Sequence, residues 1–279
     1  MKSEMRNQVE NEWKEYWQCQ TNIPSWDYTS QIVLEALRGQ SGTFLGKSVL
    51  ESGCGTGRIS LEIARSGARV TCIDISVEAV THTQNIFTNA GMPHTVLVAS
   101  TFELPFATAK FDIVWNAGVL EHFSEAERKE ALRELLRVVK PGGLVITLNP
   151  YKFAVFYRIG KLIAEKWGKW PYGHEDPITS LIPTSSELFC TPARREYSIG
   201  FYLVLVESLR MSRTLLPLVK RLRALFVRAH RSVLGGVIRS SDRFFSLIFG
   251  GYLLVSGFRK DQCELIGSHD GNLSASRIR

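Results

Sequence analysis

The sequence predicts an α/β fold: a doubly wound, mostly parallel, seven-stranded sheet with helical additions in the C-terminal half. Two observations carry this. Short apolar runs of strand length alternate with segments of helical spacing through residues 45–150, the rhythm of a parallel sheet covered by helices on both faces. A glycine-rich turn, Glu51-Ser52-Gly53-Cys54-Gly55-Thr56-Gly57, follows the first of those runs directly, at the kind of strand-to-helix junction where open α/β sheets take ligands.

Residues 1–44 come first and place Trp13, Tyr16 and Trp17 at helical spacing; a helical lid over the sheet and plain core packing both account for them. The core, 45–150, offers strands at Ser48–Glu51, Arg69–Ile73, Thr95–Ala99, Phe111–Trp115 and Gly143–Leu148, with helices at Arg58–Arg65 and Val77–Asn89 between the first three. Ser124–Val139 is the clearest helix. Ser124 and Glu127 make a capping-box pattern, and Ala131, Leu132, Leu135 and Val138 form one apolar face. Pro141-Gly142-Gly143 then turns the chain into the fifth strand. Acceptor-side elements are expected over 151–265, where Tyr252–Phe258 should run antiparallel beside Arg195–Ile199 and complete the sheet. A basic helical insertion of about 200–251 separates those two strands, and 266–279 reads as a loose polar tail.

Composition limits the alternatives. With 44% hydrophobic and 22% charged residues in 279, the chain is neither disordered nor collagen-like. Its net charge of +7 is unevenly placed: residues 1–150 hold 14 basic and 17 acidic groups, residues 151–279 hold 20 and 10. Five scattered cysteines make no C-x-x-C pair, so neither a disulfide framework nor a metal site is expected, and a reducing, cytoplasmic setting is. The N-terminus lacks the apolar core of a signal peptide. The uncharged, largely apolar run Phe244–Phe258 is too short to span a bilayer.

The glycine turn is weak evidence by itself, because dinucleotide and phosphate loops use glycine too. A dinucleotide fingerprint would need glycine where Arg58 stands, and a phosphate loop would need Gly-Lys-Ser/Thr. Glu51 opens the turn, which would repel a phosphate and favour a sulfonium or ammonium group. Asp74, at the end of the next strand, can accept hydrogen bonds from both hydroxyls of a ribose. The ligand so described has a ribose, no phosphate and a positive centre.

Four stretches in order, VLESGCGTGRIS, VTCIDIS, FDIVWNAGVLEHF and RVVKPGGLVITLNP, together resemble the class I S-adenosylmethionine-dependent methyltransferases of small-molecule or lipid type. The resemblance implies the Rossmann-like methyltransferase fold and S-adenosyl-L-methionine as cofactor. It implies that Glu51, Gly53, Cys54, Gly55 and Gly57 surround the methionine part and that Asp74, with Ile75 beside it, holds the ribose. Asn116 and Ala117 would contact the methionine end. Ser100-Thr101-Phe102 match a stretch where the family often has Asp-Ala-Glu, whose Asp bonds the adenine amino group; Ser100 departs from that pattern.

Methyl transfer needs a base only if the accepting atom must lose a proton. His122, just beyond the fourth strand, and His174, in a turn-rich segment after the fifth, are the two candidates. The plainer readings are a histidine bonding its own loop and a solvated turn. An Asn/Asp-Pro-Pro-Tyr motif, expected for methylation of base amines or glutamine amides, is missing after the fourth strand, and Asn149-Pro150-Tyr151 follows the wrong one. The expectation is O-methylation of a small-molecule or lipid-like acceptor by direct in-line transfer. The alternative is a non-catalytic cofactor-binding or membrane-associated protein that kept the fold.

The basic half supplies two amphipathic segments. Leu218–Val233 repeats Leu218, Leu222, Leu225, Ala229 and Val233 with cations off that stripe, and Tyr151–Trp170 mixes Phe153, Phe156, Tyr157, Ile159, Leu162 and Ile163 with lysines and arginine. Either both helices bury their apolar faces and leave the cations solvated, or they meet an anionic membrane surface peripherally. Nucleic acid is disfavoured, since no recognisable stacking module is present.

Overall fold

The computed structural model describes residues 4–20, 26–168, 170, 173–203, 216–230 and 232–262; the loose tail expected at 266–279 lies outside them. The strands are β1 (Ser48–Ser52), β2 (Arg69–Asp74), β3 (Thr95–Val98), β4 (Phe111–Ala117), β5 (Val139–Pro150), β6 (Cys190–Pro192), β7 (Tyr197–Ile199) and β8 (Leu253–Lys260). They form one sheet in the order β3-β2-β1-β4-β5-β8-β6, with β7 also paired to β8. The first five are parallel, and β8 runs antiparallel to β5. The expected pairing of β7 with β8 is present. One strand was not foreseen: β6 pairs Cys190–Pro192 with Phe258–Lys260, farther along the edge of β8 that also holds β7. Eight strands therefore occupy seven positions, the edge being broken after Pro192, which has no N–H to give a ladder.

The helices are α1 (Glu4–Gln18), α2 (Tyr28–Ser41), α3 (Arg58–Arg65), α4 (Val77–Asn89), α5 (Glu125–Val138), α6 (Val155–Lys166), α7 (Ile182–Ser185), α8 (Leu216–His230) and α9 (Gly235–Phe249). Strand alternation divides the core. Val49, Trp115, Ile146 and Val255 pack with Leu37 of α2, Ile63 of α3 and Phe87 of α4. Leu50, Val114, Val145 and Phe258 pack on the other face with Leu132 and Leu135 of α5. The capping box forms as the sequence predicts: Ser124 receives the Glu127 amide, and the Glu127 carboxylate receives the Ser124 amide at 3.1 Å.

Both basic helices depart from the reading in which their apolar faces are packed. In α8 the stripe is not the packed face, since Leu218 is 46% and Leu225 60% exposed. Phe226 and Val227 pack on the core instead, and His230 is buried because Tyr28 Oη (3.2 Å) and Glu35 Oε1 (3.2 Å) engage its two ring nitrogens. In α6 burial is inverted. Lys161 is buried, held by Glu165 at 2.8 Å and by the Trp170 ring at 4.4 Å, whereas Val155, Ile159 and Leu162 are exposed. Phe156 joins α6 to α9 through Phe201 (5.9 Å) and Phe249 (6.4 Å). Among the described residues no helix is long and apolar enough to cross a membrane.

Candidate active site

The carboxyl ends of β1, β2, β3 and β4 open into a cavity of about 370 Å³. Of the residues singled out from sequence, Glu51, Gly53, Cys54, Gly55, Asp74, Ile75, Ser100, Thr101, Phe102, Ala117 and His122 line it. Gly57, Asn116 and His174 do not. Gly57 starts α3 in a left-handed conformation (φ 63°) with Thr83 of α4 against its Cα. The Asn116 side chain is fully buried and lacks a hydrogen-bond partner; by strand alternation it shares the face of Val114, beneath α5, away from that of Ala117. His174 is exposed and takes part only through its backbone.

Helix α1 lies against the cavity, with Val9, Glu10, Trp13, Tyr16 and Trp17 in its lining. A side chain at Gly55 (φ 51°) would come within 2.9 Å of the Trp17 ring, and one at Gly53 (φ 79°) within 2.6 Å of Val119. These two glycines let the loop backbone approach whatever lies in the cavity.

Asp74 braces the loop from β2. Its two carboxylate oxygens accept the Gly55 amide at 2.8 Å and the Ser76 amide at 3.1 Å. Burial raises its pKa, against those N–H groups. Glu51 is buried, its pKa pushed well up by desolvation, and one of its oxygens has no partner. A buried carboxyl with one unpartnered oxygen at the foot of a glycine loop fits a cationic ligand, which would favour its ionised form. A bound phosphate would meet Glu51 and Asp74 together, and the arginine in the lining, Arg58, is paired with Asp27 and Ser30.

The opposite end holds a second buried group. His122 donates from Nδ1 to the His174 carbonyl (2.6 Å), so Nε2 is the ring nitrogen left to accept a proton. Burial lowers its pKa and keeps the imidazole neutral; Trp13 meets it edge-on at 5.0 Å. Glu121 Oε1 stands 3.8 Å from Nε2, too far for a hydrogen bond, and burial lifts Glu121 to about 8. Glu175 accepts the Tyr157 hydroxyl and has its Oε2 4.0 Å from Lys161. The Glu175 turn is pinned by the Asp176 amide on the Glu121 carbonyl (2.8 Å) and by Arg128 on the Asp176 carbonyl (2.8 Å). Glu10, Glu121, Glu175 and Tyr252 also belong to the lining without having been singled out from sequence. Glu10 alone left a usable signal, being three residues before Trp13 on the face of the predicted lid. No group of three or more His, Cys, Asp or Glu is placed to hold a metal ion among the described residues.

With this geometry in hand, similarity to known proteins falls where the cavity lies. Residues 49–143 match the family model described as a methyltransferase domain. The O-methyltransferase resE of Aspergillus sclerotiorum is 31% identical over 134 residues, covering 46% of this chain and 48% of that protein. The malonyl-[acyl-carrier protein] O-methyltransferase of Buchnera aphidicola is 31% identical over 125 residues, covering 45% and 48%. The chain thus spans about half the length of the curated relatives it matches. Magnesium protoporphyrin IX methyltransferase from Synechocystis, solved with bound SAH, has a TM-score of 0.58 at 16% identity over 92% of this chain and 100% of that one. At that identity the likeness establishes the fold.

Proposed function

Residues 49–143 being a methyltransferase domain on the class I fold, we propose that the protein moves a methyl group from S-adenosyl-L-methionine to an oxygen of a small or lipophilic acceptor. One observation carries the reading: a single cavity joins a loop suited to a cationic riboside with a neutral histidine that can take a proton.

The cofactor, when bound, supplies an electrophilic methyl group on a sulfonium. Asp74 would accept the ribose hydroxyls while its loop amides hold it in place. Glu51 lies where a positive centre would ionise it, so binding would release its proton. Gly53 and Gly55 allow the close approach, and Trp13, Tyr16 and Trp17 exclude water above it. His122 Nε2 takes the proton of the acceptor hydroxyl as the new C–O bond forms. The His174 carbonyl fixes the tautomer this requires and stabilises the imidazolium that results. Positioning of the two reactants can lower the barrier by roughly 7–11 kcal/mol, and a positioned base adds about 10²–10⁴-fold in rate.

The acceptor's origin is suggested by α6. Its inner residue Tyr157 lies 4.8 Å, ring to ring, from the cavity residue Tyr252. Its outer residues Val155, Ile159 and Leu162 are exposed beside exposed Lys152, Arg158 and Lys166. An apolar, cationic face at the wall of the cavity suits peripheral attachment to an anionic membrane and a lipid-like acceptor.

Calorimetry should find S-adenosylmethionine and S-adenosylhomocysteine bound and NAD not. Labelled cofactor incubated with small-molecule and lipid extracts should mark one acceptor. His122→Gln should keep the S-adenosylhomocysteine affinity and lower turnover at least 100-fold. Tighter binding of NAD would overturn the assignment, and full turnover by His122→Gln would remove the base.

A further inference from the structure

We infer that Glu10 of α1 is the group that recognises the exocyclic amino group of the cofactor's adenine, so that the base is read by the lid helix and not by the sheet. The inference rests on the cofactor proposed above and names a binding residue for it.

The sheet order fixes where the parts of such a cofactor go. β2 lies between β1 and β3, and neighbouring strand ends are about 4.8 Å apart. A ribose on Asp74, with its amino-acid part over the glycine loop of β1, must send its base the other way, over the end of β3. There the cavity is lined by Ala99, Ser100, Thr101 and Phe102: a methyl group, two hydroxyls and a ring. None of the four is a carboxylate. Glu103, the next residue, is exposed and outside the lining.

Glu10 fills that gap from above. It is 7% exposed, lines the cavity, and accepts the Ser100 hydroxyl on Oε1 at 3.2 Å. That bond fixes the carboxylate at the end of β3. A carboxylate has about four lone-pair sites on two oxygens, so it can serve Ser100 and a further N–H donor together. Helical spacing puts Glu10 on the face of Arg6, Trp13 and Trp17. Arg6 stacks on Phe102 at 3.7 Å from the ring centroid, seating this face of α1 on the β3 exit. An aromatic amine buried at this end would meet an anionic acceptor beside a ring, whereas a carbonyl oxygen in its place would face the carboxylate lone pairs.

The plain alternative is that Glu10 serves only to hold α1 in place, through Ser100 among its contacts. Calorimetry on the full chain separates the two, using S-adenosylhomocysteine and S-inosylhomocysteine, in which the amino group is replaced by a carbonyl oxygen. The wild type should prefer the adenine ligand by at least tenfold, in keeping with a hydrogen bond to a charged group. Glu10→Gln should erase most of that preference, because its amide can donate to the carbonyl. Ser100→Ala cuts the tether but keeps the carboxylate; it should preserve the preference even if both ligands bind more weakly. Equal weakening of both ligands by Glu10→Gln, or no change in either, would overturn the inference and leave the cofactor assignment standing. A wild type that binds neither ligand would remove the cofactor assignment and the inference with it.

Discussion

Glu121 is a carboxylic acid placed where water does not reach it, and its proton becomes a variable of stability. Burial lifts its pKa from 4.5 to about 8, with Arg128 pulling the other way. Between those values the native state keeps a proton that the unfolded chain has lost, so stability falls as pH rises across that window. Glu51, Glu175 and Asp74 are raised for the same reason. Glu121→Gln removes one such titration. Its thermal stability relative to wild type should be unchanged near pH 4 and rise to a gain on the order of 3 kcal/mol by pH 8. A gain that did not vary with pH would mean that Glu121 is ionised in the fold. His122 has the opposite sign: its lowered pKa keeps the neutral base available down to below pH 6.5, and protonation below that point costs both stability and turnover.

At the scale of elements, two glycines five residues or fewer from Glu51–Ser52 have different duties. Gly57→Ala puts a Cβ 2.4 Å from the Thr83 side chain at φ 63°, at the start of α3 where it meets α4. A loss of about 1–3 kcal/mol is expected in chemical denaturation. Gly55→Ala meets only the far end of Trp17, on α1, and should weaken cofactor binding more than it weakens the fold. The reverse ranking would show that α1 is integral to the core. The same contrast marks what the sequence could reveal. Strands β1 to β5, the Ser124–Glu127 cap and Asp74 are legible because each is specified by residues within a turn or a strand of one another. β6 is not, since Cys190-Thr191-Pro192 acquires its ladder only from β8. Asn116, expected at the methionine end, shares by strand alternation the face of Val114 and is outside the cavity lining. His230 is buried by partners distant in sequence, Tyr28 and Glu35, which no local pattern announces. Glu10 is half legible: its spacing from Trp13 puts it on the lid face, but its contact with Ser100 depends on how α1 lands beside β3.

Across the whole molecule, residues 1–150 carry a slight acidic excess and residues 151–279 carry the positive charge. Exposed Phe153, Val155, Ile159 and Leu162 add apolar surface to that positive half, and Phe249 of α9 is exposed next to α6. Co-sedimentation with vesicles should therefore require anionic lipid, weaken in high salt and be lost in Ile159→Glu/Leu162→Glu. Equal sedimentation with neutral vesicles, or none at low salt, would exclude attachment through charge. The position of β8 matters in another way, for a chain still leaving the ribosome. It is the last strand described, yet it lies inside the sheet, between β5 and the β6–β7 edge. Until it emerges, the apolar edge of Leu144–Pro150 has nothing to pair with. At ordinary rates of synthesis that interval is roughly 5–20 s, long enough for two nascent chains to meet edge to edge. Order in time and order in space disagree at this strand, so faster synthesis of residues 151–252 shortens the exposure of the β5 edge and slower synthesis prolongs it.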